Sequence, residues 1–301
     1  TLGSDWAQGN SPRPDFVDSS GDSEVEQDHR SFYAAARISF SDQLSGLIGA
    51  RKADYKQSGI SYGASAEQEA NKTVPYYGLT YQITDSLMAY GSSSEVFSPQ
   101  VFVDSQLKPL GAIEGKSAEL GFKMSFNNEL AILTVAVFQS EIDNYGVFIG
   151  NDTDSGVATY DPRTQESDGY EIEISGQLSA GLNISAEYTK VDIQDANGEK
   201  VPYIPEQMIK ASASYQIPNL PKLKVGGVLK WQDDIATAAA NAKQSSYALL
   251  DLLVSYQINE NLSAAINIDN ISDEKYYNSL YWDQAYFGAP RNVSLSVNWE
   301  L

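Results

Sequence analysis

From Ser31 to the C-terminus, apolar and polar residues alternate in segments of about ten, the period-two signature of strands with one apolar and one polar face. Tyr170, Ile172, Ile174 and Leu178 fall on one side of such a segment, with Glu171, Glu173, Ser175 and Gln177 on the other. The last segment sets Val293, Leu295, Val297, Trp299 and Leu301 against Ser294, Ser296, Asn298 and Glu300. Leu262, Ala264, Ile266 and Ile268 oppose Ser263, Asn267 and Asp269, and Leu182, Ile184, Ala186 and Tyr188 repeat the arrangement. Each strand has one side suited to hydrocarbon and one suited to water.

The connections are of two kinds, and they alternate along the chain. Short ones fall near Ser41–Gln43, Thr84–Ser86, Asn127 and Asn128, Ser179–Gly181, Ile217–Pro221 and Asn259–Asn261, each with turn-forming residues. Long polar ones fall near Gln57–Lys72, Glu95–Gly115, Asp143–Gln165, Ile193–Glu206, Asp234–Ser246 and Ser272–Ala289. A soluble antiparallel sandwich also alternates apolar with polar, but its packing gives no reason to gather short turns on one edge and long loops on the other. A membrane-spanning barrel does, with short periplasmic turns and longer external loops. Aromatic residues near strand ends (Tyr188, Tyr215, Trp231, Tyr247, Tyr256 and Trp299) suit girdles at the two lipid interfaces.

The predicted fold is therefore all-β, an antiparallel transmembrane β-barrel, of which about thirteen strands are present. A closed single-chain barrel of this type has an even number, so strands N-terminal to this segment are expected to be missing from it. No export signal is visible in residues 1–30, as expected of a segment that starts within a longer protein. Residues 1–30, rich in Ser, Gly, Pro, Asp and Glu, are expected to form an extracellular loop segment, and residues 31–301 the C-terminal part of the barrel.

Composition narrows the function. No run of about eighteen apolar residues exists; the longest, Leu130 to Phe138, is broken by Thr134, so no membrane-spanning helix is predicted. A mean hydropathy of -0.34 is no objection to a barrel, because only alternate residues meet lipid. A net charge of -20 argues against nucleic acid as partner. The chain has no cysteine and one histidine, His29, expected in a solvated loop, so neither a zinc nor a redox-metal site is predicted. Asn151-Asp152-Thr153-Asp154-Ser155-Gly156 lacks the ligand spacing and the later Glu of a calcium loop. Glu171 and Glu173 share a face with Ser175 and Gln177, which reads as a wet interior wall. No nucleophile, base and orienting group converge, so no enzyme, catalytic residue or cofactor is predicted.

Near the end, Asn270-Ile271-Ser272-Asp273-Glu274-Lys275-Tyr276-Tyr277, then Tyr286-Phe287-Gly288-Ala289-Pro290-Arg291 and a final alternating strand, resembles the closing hairpin of TonB-dependent ferric-siderophore receptors. Further pieces follow in the family's order: Glu95-Val96-Phe97-Ser98-Pro99-Gln100, Glu114-Gly115-Lys116-Ser117-Ala118-Glu119-Leu120-Gly121-Phe122-Lys123, Ser167-Asp168-Gly169-Tyr170-Glu171-Ile172-Glu173, and Pro202 to Pro205. The resemblance runs from Phe32 to Leu301 and implies the last thirteen strands of a 22-stranded barrel whose plug domain lies outside this chain. Leu301 departs from the aromatic residue usual at the family's C-terminus. It also implies an outer-membrane location in a Gram-negative bacterium, uptake of a ferric siderophore, and a TonB energy-transducing partner that acts through the missing N-terminal region.

Within the aromatic-rich segment from Tyr276 to Phe287, Tyr281, Trp282 and Tyr286 are the candidate ligand-binding residues. Tyr and Trp offer large amphipathic contact area at little rotamer cost, which suits a rigid metal chelate; the alternative is anchoring in lipid headgroups. A passive diffusion channel, a soluble β-rich binding protein, and a receptor of the same architecture for haem, a vitamin or a carbohydrate are the other readings.

Overall fold

The computed structural model describes residues 23–61, 64–281 and 284–300. The first strands are β1 (Glu24–Ser39), β2 (Leu44–Ser61), the two-residue β3 (Ala64–Ser65), β4 (Gln68–Thr84), β5 (Leu87–Ser98) and β6 (Ile113–Phe126). Then come β7 (Ala131–Asn151), β8 (Ala158–Ser179), β9 (Leu182–Asp195), β10 (Gln207–Gln216) and β11 (Leu223–Gln232). A small pair, β12 (Ile235–Ala236) and β13 (Lys243–Gln244), precedes β14 (Tyr247–Asn259) and β15 (Leu262–Asp269). A second small pair, β16 (Tyr277–Ser279) and β17 (Tyr286–Phe287), precedes β18 (Asn292–Trp299).

Thirteen of these form one antiparallel sheet in the order β1-β2-β4-β5-β6-β7-β8-β9-β10-β11-β14-β15-β18, with β3 paired only to β2. Every long strand pairs with its sequence neighbour, because each reversal is a turn or loop that returns the chain beside itself.

The register carries the sequence alternation across the whole sheet. Phe32, Ala34, Ala36 and Ile38 of β1 share a face with Ile48 of β2, which pairs with Tyr77 of β4. On the same face Ala89 pairs with Phe122, Phe122 with Val135, and Val135 with Ile172. Ile172 pairs with Tyr188, Tyr188 with Ile209, and Ile209 with Trp231. Val254 pairs with Ile266 and Ile266 with Leu295. A one-residue slip anywhere would turn one strand's apolar set to the wrong side, so the continuity of this face shows one consistent register. These side chains stay exposed in the isolated chain, Leu295 at 70% and Phe32 at 75%, because the medium that covers such a face is lipid.

Aromatic residues rim this face. Tyr77, Tyr170, Tyr188 and Trp231 lie toward the long-loop edge, and Tyr81, Tyr215, Tyr256 and Trp299 toward the short-turn edge. The Tyr188 hydroxyl donates to Gln207 at 2.9 Å, leaving the ring in the apolar layer and the polar atom at its border.

On the opposite, polar face, large rings lie across glycines of the adjacent strand. Tyr90 covers Gly121, where a Cβ would come within 2.8 Å of the ring and 2.7 Å of the Val135 carbonyl oxygen. Phe138 covers Gly169 in the same way, with a Cβ there only 2.7 Å from the ring. A ring laid flat fills the gap above a glycine without projecting far into the interior.

The predicted short turns all recur, and the structure lengthens the strands between several of them. Of the segment expected as a loop to residue 30, residues 1–22 lie outside the described residues and residues 24–30 are strand, so His29 is an exposed strand residue whose ring meets Tyr55 at 6.3 Å. Residues 57–72 and 143–165, expected as long loops, are mostly the outer ends of β2, β4, β7 and β8. Their Gly, Asp and Asn reflect bulges and exposure: β7 and β8 shift register between Ile142 and Tyr145 and between Phe148 and Gly150. At 21 and 22 residues, these two strands exceed the ten or so needed to cross a bilayer, so their hairpin stands above it.

Candidate functional site

The segment between β15 and β18 folds back onto the sheet, and its shape comes from its two feet. Asn270 is 4% exposed and left-handed (φ 50°), a conformation Asn tolerates because its short polar side chain bonds locally. Its backbone N–H donates to Asp251 Oδ1 at 2.9 Å, and its Nδ2 donates to the Glu274 carbonyl at 2.9 Å and the Ala289 carbonyl at 3.1 Å. Asn270 Oδ1 accepts the Glu274 N–H at 2.9 Å. One side chain thus ties the outgoing foot at Glu274 to the returning foot at Ala289. Asp273 Oδ1 adds a bond from the Arg291 N–H at 3.0 Å. Asp251, on β14, is in turn paired with Lys230 of β11 at 3.0 Å.

Above the feet, the Tyr276 ring stacks on Tyr247 of β14 with centroids 4.6 Å apart. Gly288 leaves the space that Tyr276 occupies; any Cβ there would overlap the ring. The Tyr277 N–H donates to Gln244 at 2.8 Å, and Leu280 is fully buried. Tyr281 then reaches residues far away in sequence. Its hydroxyl lies 2.9 Å from that of Tyr145, from the outer part of β7, and its ring meets Tyr203 at 5.0 Å and 59°. Tyr203 comes from the loop between β9 and β10, and burial raises its hydroxyl pKa.

Of the three residues singled out in the sequence, Tyr281 is therefore the centre of an aromatic cluster. Tyr286 is on the same segment, in β17, 61% exposed, with its hydroxyl donated to Gln284. Trp282 lies outside the described residues. Tyr145 and Tyr203 were missed; their only sequence signal was membership of long connections on the same edge as Tyr281.

A packed layer supports the β7–β8 hairpin. Phe102, from the loop between β5 and β6, stacks on Tyr160 of β8 at 4.0 Å and 15°. Val103 and Val157 are buried against Leu107. Gln100 Nε2 donates to the carbonyls of Gly111 at 2.7 Å and Asn144 at 2.6 Å, holding the bulge next to Tyr145.

Below this rim the polar face is charged in two zones. Glu119, Glu171, Glu173 and Glu187 lie on β6, β8 and β9, with Glu173 directly opposite Glu187. Lys210 and Lys230, paired across β10 and β11, follow, with Lys210 also opposite Glu187. The Tyr90 hydroxyl donates to Glu119, and Lys123 sits 5.1 Å over the Tyr90 ring. Among the described residues, no group of three or more His, Cys, Asp or Glu is placed to hold a metal ion. The arrangement offers stacking and hydroxyl hydrogen bonds at a mouth, above a hydrated charged wall.

An antiparallel sheet with one continuous apolar face, two aromatic rims, tight turns at one edge and packed loops at the other is part of a membrane-spanning β-barrel. The chain belongs to the TonB-dependent receptor family: the family model described as "TonB dependent receptor-like, beta-barrel" matches residues 1–271. Members of this kind are β-barrels of the Gram-negative outer membrane, and theirs is a receptor family, not a known enzyme family. The chain is 32% identical over 306 residues to the ferric-pyoverdine BN7/BN8 receptor of Pseudomonas putida, spanning 97% of this chain and 37% of that protein. It is 30% identical over 287 residues to the ferripyoverdine receptor of Pseudomonas aeruginosa, spanning 89% of this chain and 35% of that protein. The crystal structure of the P. aeruginosa receptor bound to ferripyoverdine superposes with a TM-score of 0.85 at 29% identity, over 97% of this chain and 41% of that one. The chain thus spans well under half the length of these relatives.

Proposed function

We propose that the complete receptor takes up a ferric siderophore across the outer membrane, driven by TonB, and that the Tyr145–Tyr203–Tyr281 cluster forms part of its outer binding mouth. The observation that carries this reading is the convergence of three separate outer segments on Tyr281. Tilted, hydroxyl-bearing rings on supported segments suit a planar, polar-edged chelate. The relatives' names, ferric-pyoverdine receptors of Pseudomonas among them, support the same substrate class. Trp282 and Tyr286, carried on the segment that bears Tyr281, belong to the proposed contact set. The chemistry is non-covalent binding and conduction, without catalysis. The plug and the TonB contact belong to parts of the receptor beyond this chain.

Iron-limited cells carrying a deletion of the full gene are expected to lose uptake of radiolabelled ferric pyoverdine and regain it on complementation. Uptake in the deletion strain equal to that of the parent would reject the proposal. In the purified full-length receptor, Tyr281→Ala is expected to weaken chelate binding about tenfold or more, as loss of a buried aromatic contact does. Wild-type affinity in that variant would remove the cluster from the site.

A further inference from the structure

The feature the transport reading leaves unused is the buried asparagine at the foot of the β15–β18 segment. Asn270 bonds none of the three tyrosines, yet its side chain bonds both feet of the segment that carries Tyr281, beside the Asp273–Arg291 bond that also joins them. Its backbone N–H fixes those feet to Asp251, a strand residue braced by Lys230 two strands from β15. The segment spans about twenty residues, and a free chain of that length samples many geometries. Four directional bonds at one residue select a single exit direction for both legs.

We propose that Asn270 is a positioning residue for the outer mouth: by clasping Glu274 and Ala289 and docking on Asp251, it sets where Tyr281 meets Tyr145 and Tyr203. The proposal rests on the reading of that cluster as a ligand-contacting mouth, but its structural half stands without it. Three features separate this role from general stability. The clasp is local to the feet, β15 and β18 already pair from Asp269–Asn292 down to Leu262–Trp299, and Tyr276 docks on Tyr247 independently. Loss of the clasp should therefore leave the barrel wall and the Tyr276–Tyr247 contact formed, and widen the range of positions open to Tyr281.

The side chain and the backbone conformation are separable by substitution. Asn270→Gly keeps the left-handed conformation at no steric cost and removes all four side-chain bonds, the one from the Ser272 hydroxyl included. Asp251→Ala removes the acceptor of the Asn270 N–H without altering the segment itself.

The test uses the full-length receptor with two nitroxide labels, one at Asn278 in β16 and one at Asp154 at the tip of the β7–β8 hairpin. The parent is expected to give one narrow distance distribution. Asn270→Gly and Asp251→Ala should each broaden it at least twofold, while heat-modified gel mobility, which reports barrel formation, stays as in the parent. Ferric pyoverdine titrated into the same unlabelled proteins should dissociate about tenfold faster from Asn270→Gly, the effect of losing one or two buried hydrogen bonds at the contact geometry. A narrow, parent-like distribution in both variants overturns the proposal, whatever the chelate does. If either variant fails to form a barrel, the other decides; loss of the barrel in both would make Asn270 and Asp251 wall-forming residues and overturn it too. Broadened distances with no pyoverdine binding in the parent support the positioning role and count against the siderophore reading at this chelate.

Discussion

At the scale of single residues, close packing on the polar face leaves little tolerance. Gly169 lies under the Phe138 ring and against the backbone of β9, so Gly169→Ala forces ring and strand apart. A destabilisation of about 1–3 kcal/mol is expected, as for other overpacked sites. It would be read as a lower urea midpoint for loss of the heat-resistant gel band of the full-length receptor. The turn at the tip of the β7–β8 hairpin adds a pH-dependent element. Asp152 Oδ1 accepts the Ser155 hydroxyl at 2.7 Å and the Ser155 N–H at 2.8 Å, and these bonds, the hydroxyl first, hold its carboxyl pKa below the ordinary value of 3.8. A lowered folded pKa means that its stabilisation is present above about pH 4 and is lost as pH falls through the lower folded value. Amide exchange at Ser155 should therefore speed up, beyond the intrinsic pH effect, only in that acidic window. Asp152→Asn should flatten the response.

At the scale of elements, the cost of a substitution follows the face it falls on. Leu295 of β18 pairs with Ile266 on the apolar side, whereas Ser296 pairs with Ala265 on the polar side. Leu295→Arg is expected to cost about 2–4 kcal/mol of folding stability in lipid vesicles, and Ser296→Arg much less, because only the first places a charge in hydrocarbon. Equal costs for the two would show that the faces have been assigned wrongly. The long hairpin of β7 and β8 shows where alternation stops being informative. Below Ile142 the strands face lipid and read cleanly; above it they stand in water on both sides, carry bulges and positive-φ residues such as Asn144 (φ 59°), and look like a loop. The same holds for residues 24–30 of β1, where no apolar layer demands a pattern.

At the scale of the whole molecule, β1 and β18 are each paired on one side only, so their outer backbone groups are open in the described chain. In lipid every unpaired N–H and C=O costs several kcal/mol, which closed barrels avoid. The 301-residue chain alone is therefore expected to give no protease-resistant, heat-modifiable species in vesicles, and to give one when refolded together with the rest of the receptor. Resistant product from the chain alone would mean that its edges find partners in another way.

What the sequence by itself determined is the set of properties fixed by local rules: strand faces by period-two alternation, reversals by turn residues, and the membrane setting by the two together. Arg37 opposite Leu47, or Phe122 opposite Val135, follows once a tight turn fixes the register. What only the tertiary structure decided is the meeting of Tyr281 with Tyr145, 136 positions away, and with Tyr203. That contact depends on the order of pairing across the sheet, on the register shifts that flank Tyr145 in β7, and on the foot at Asn270. Each of these is a geometry summed over many strands, so no short window of residues records it.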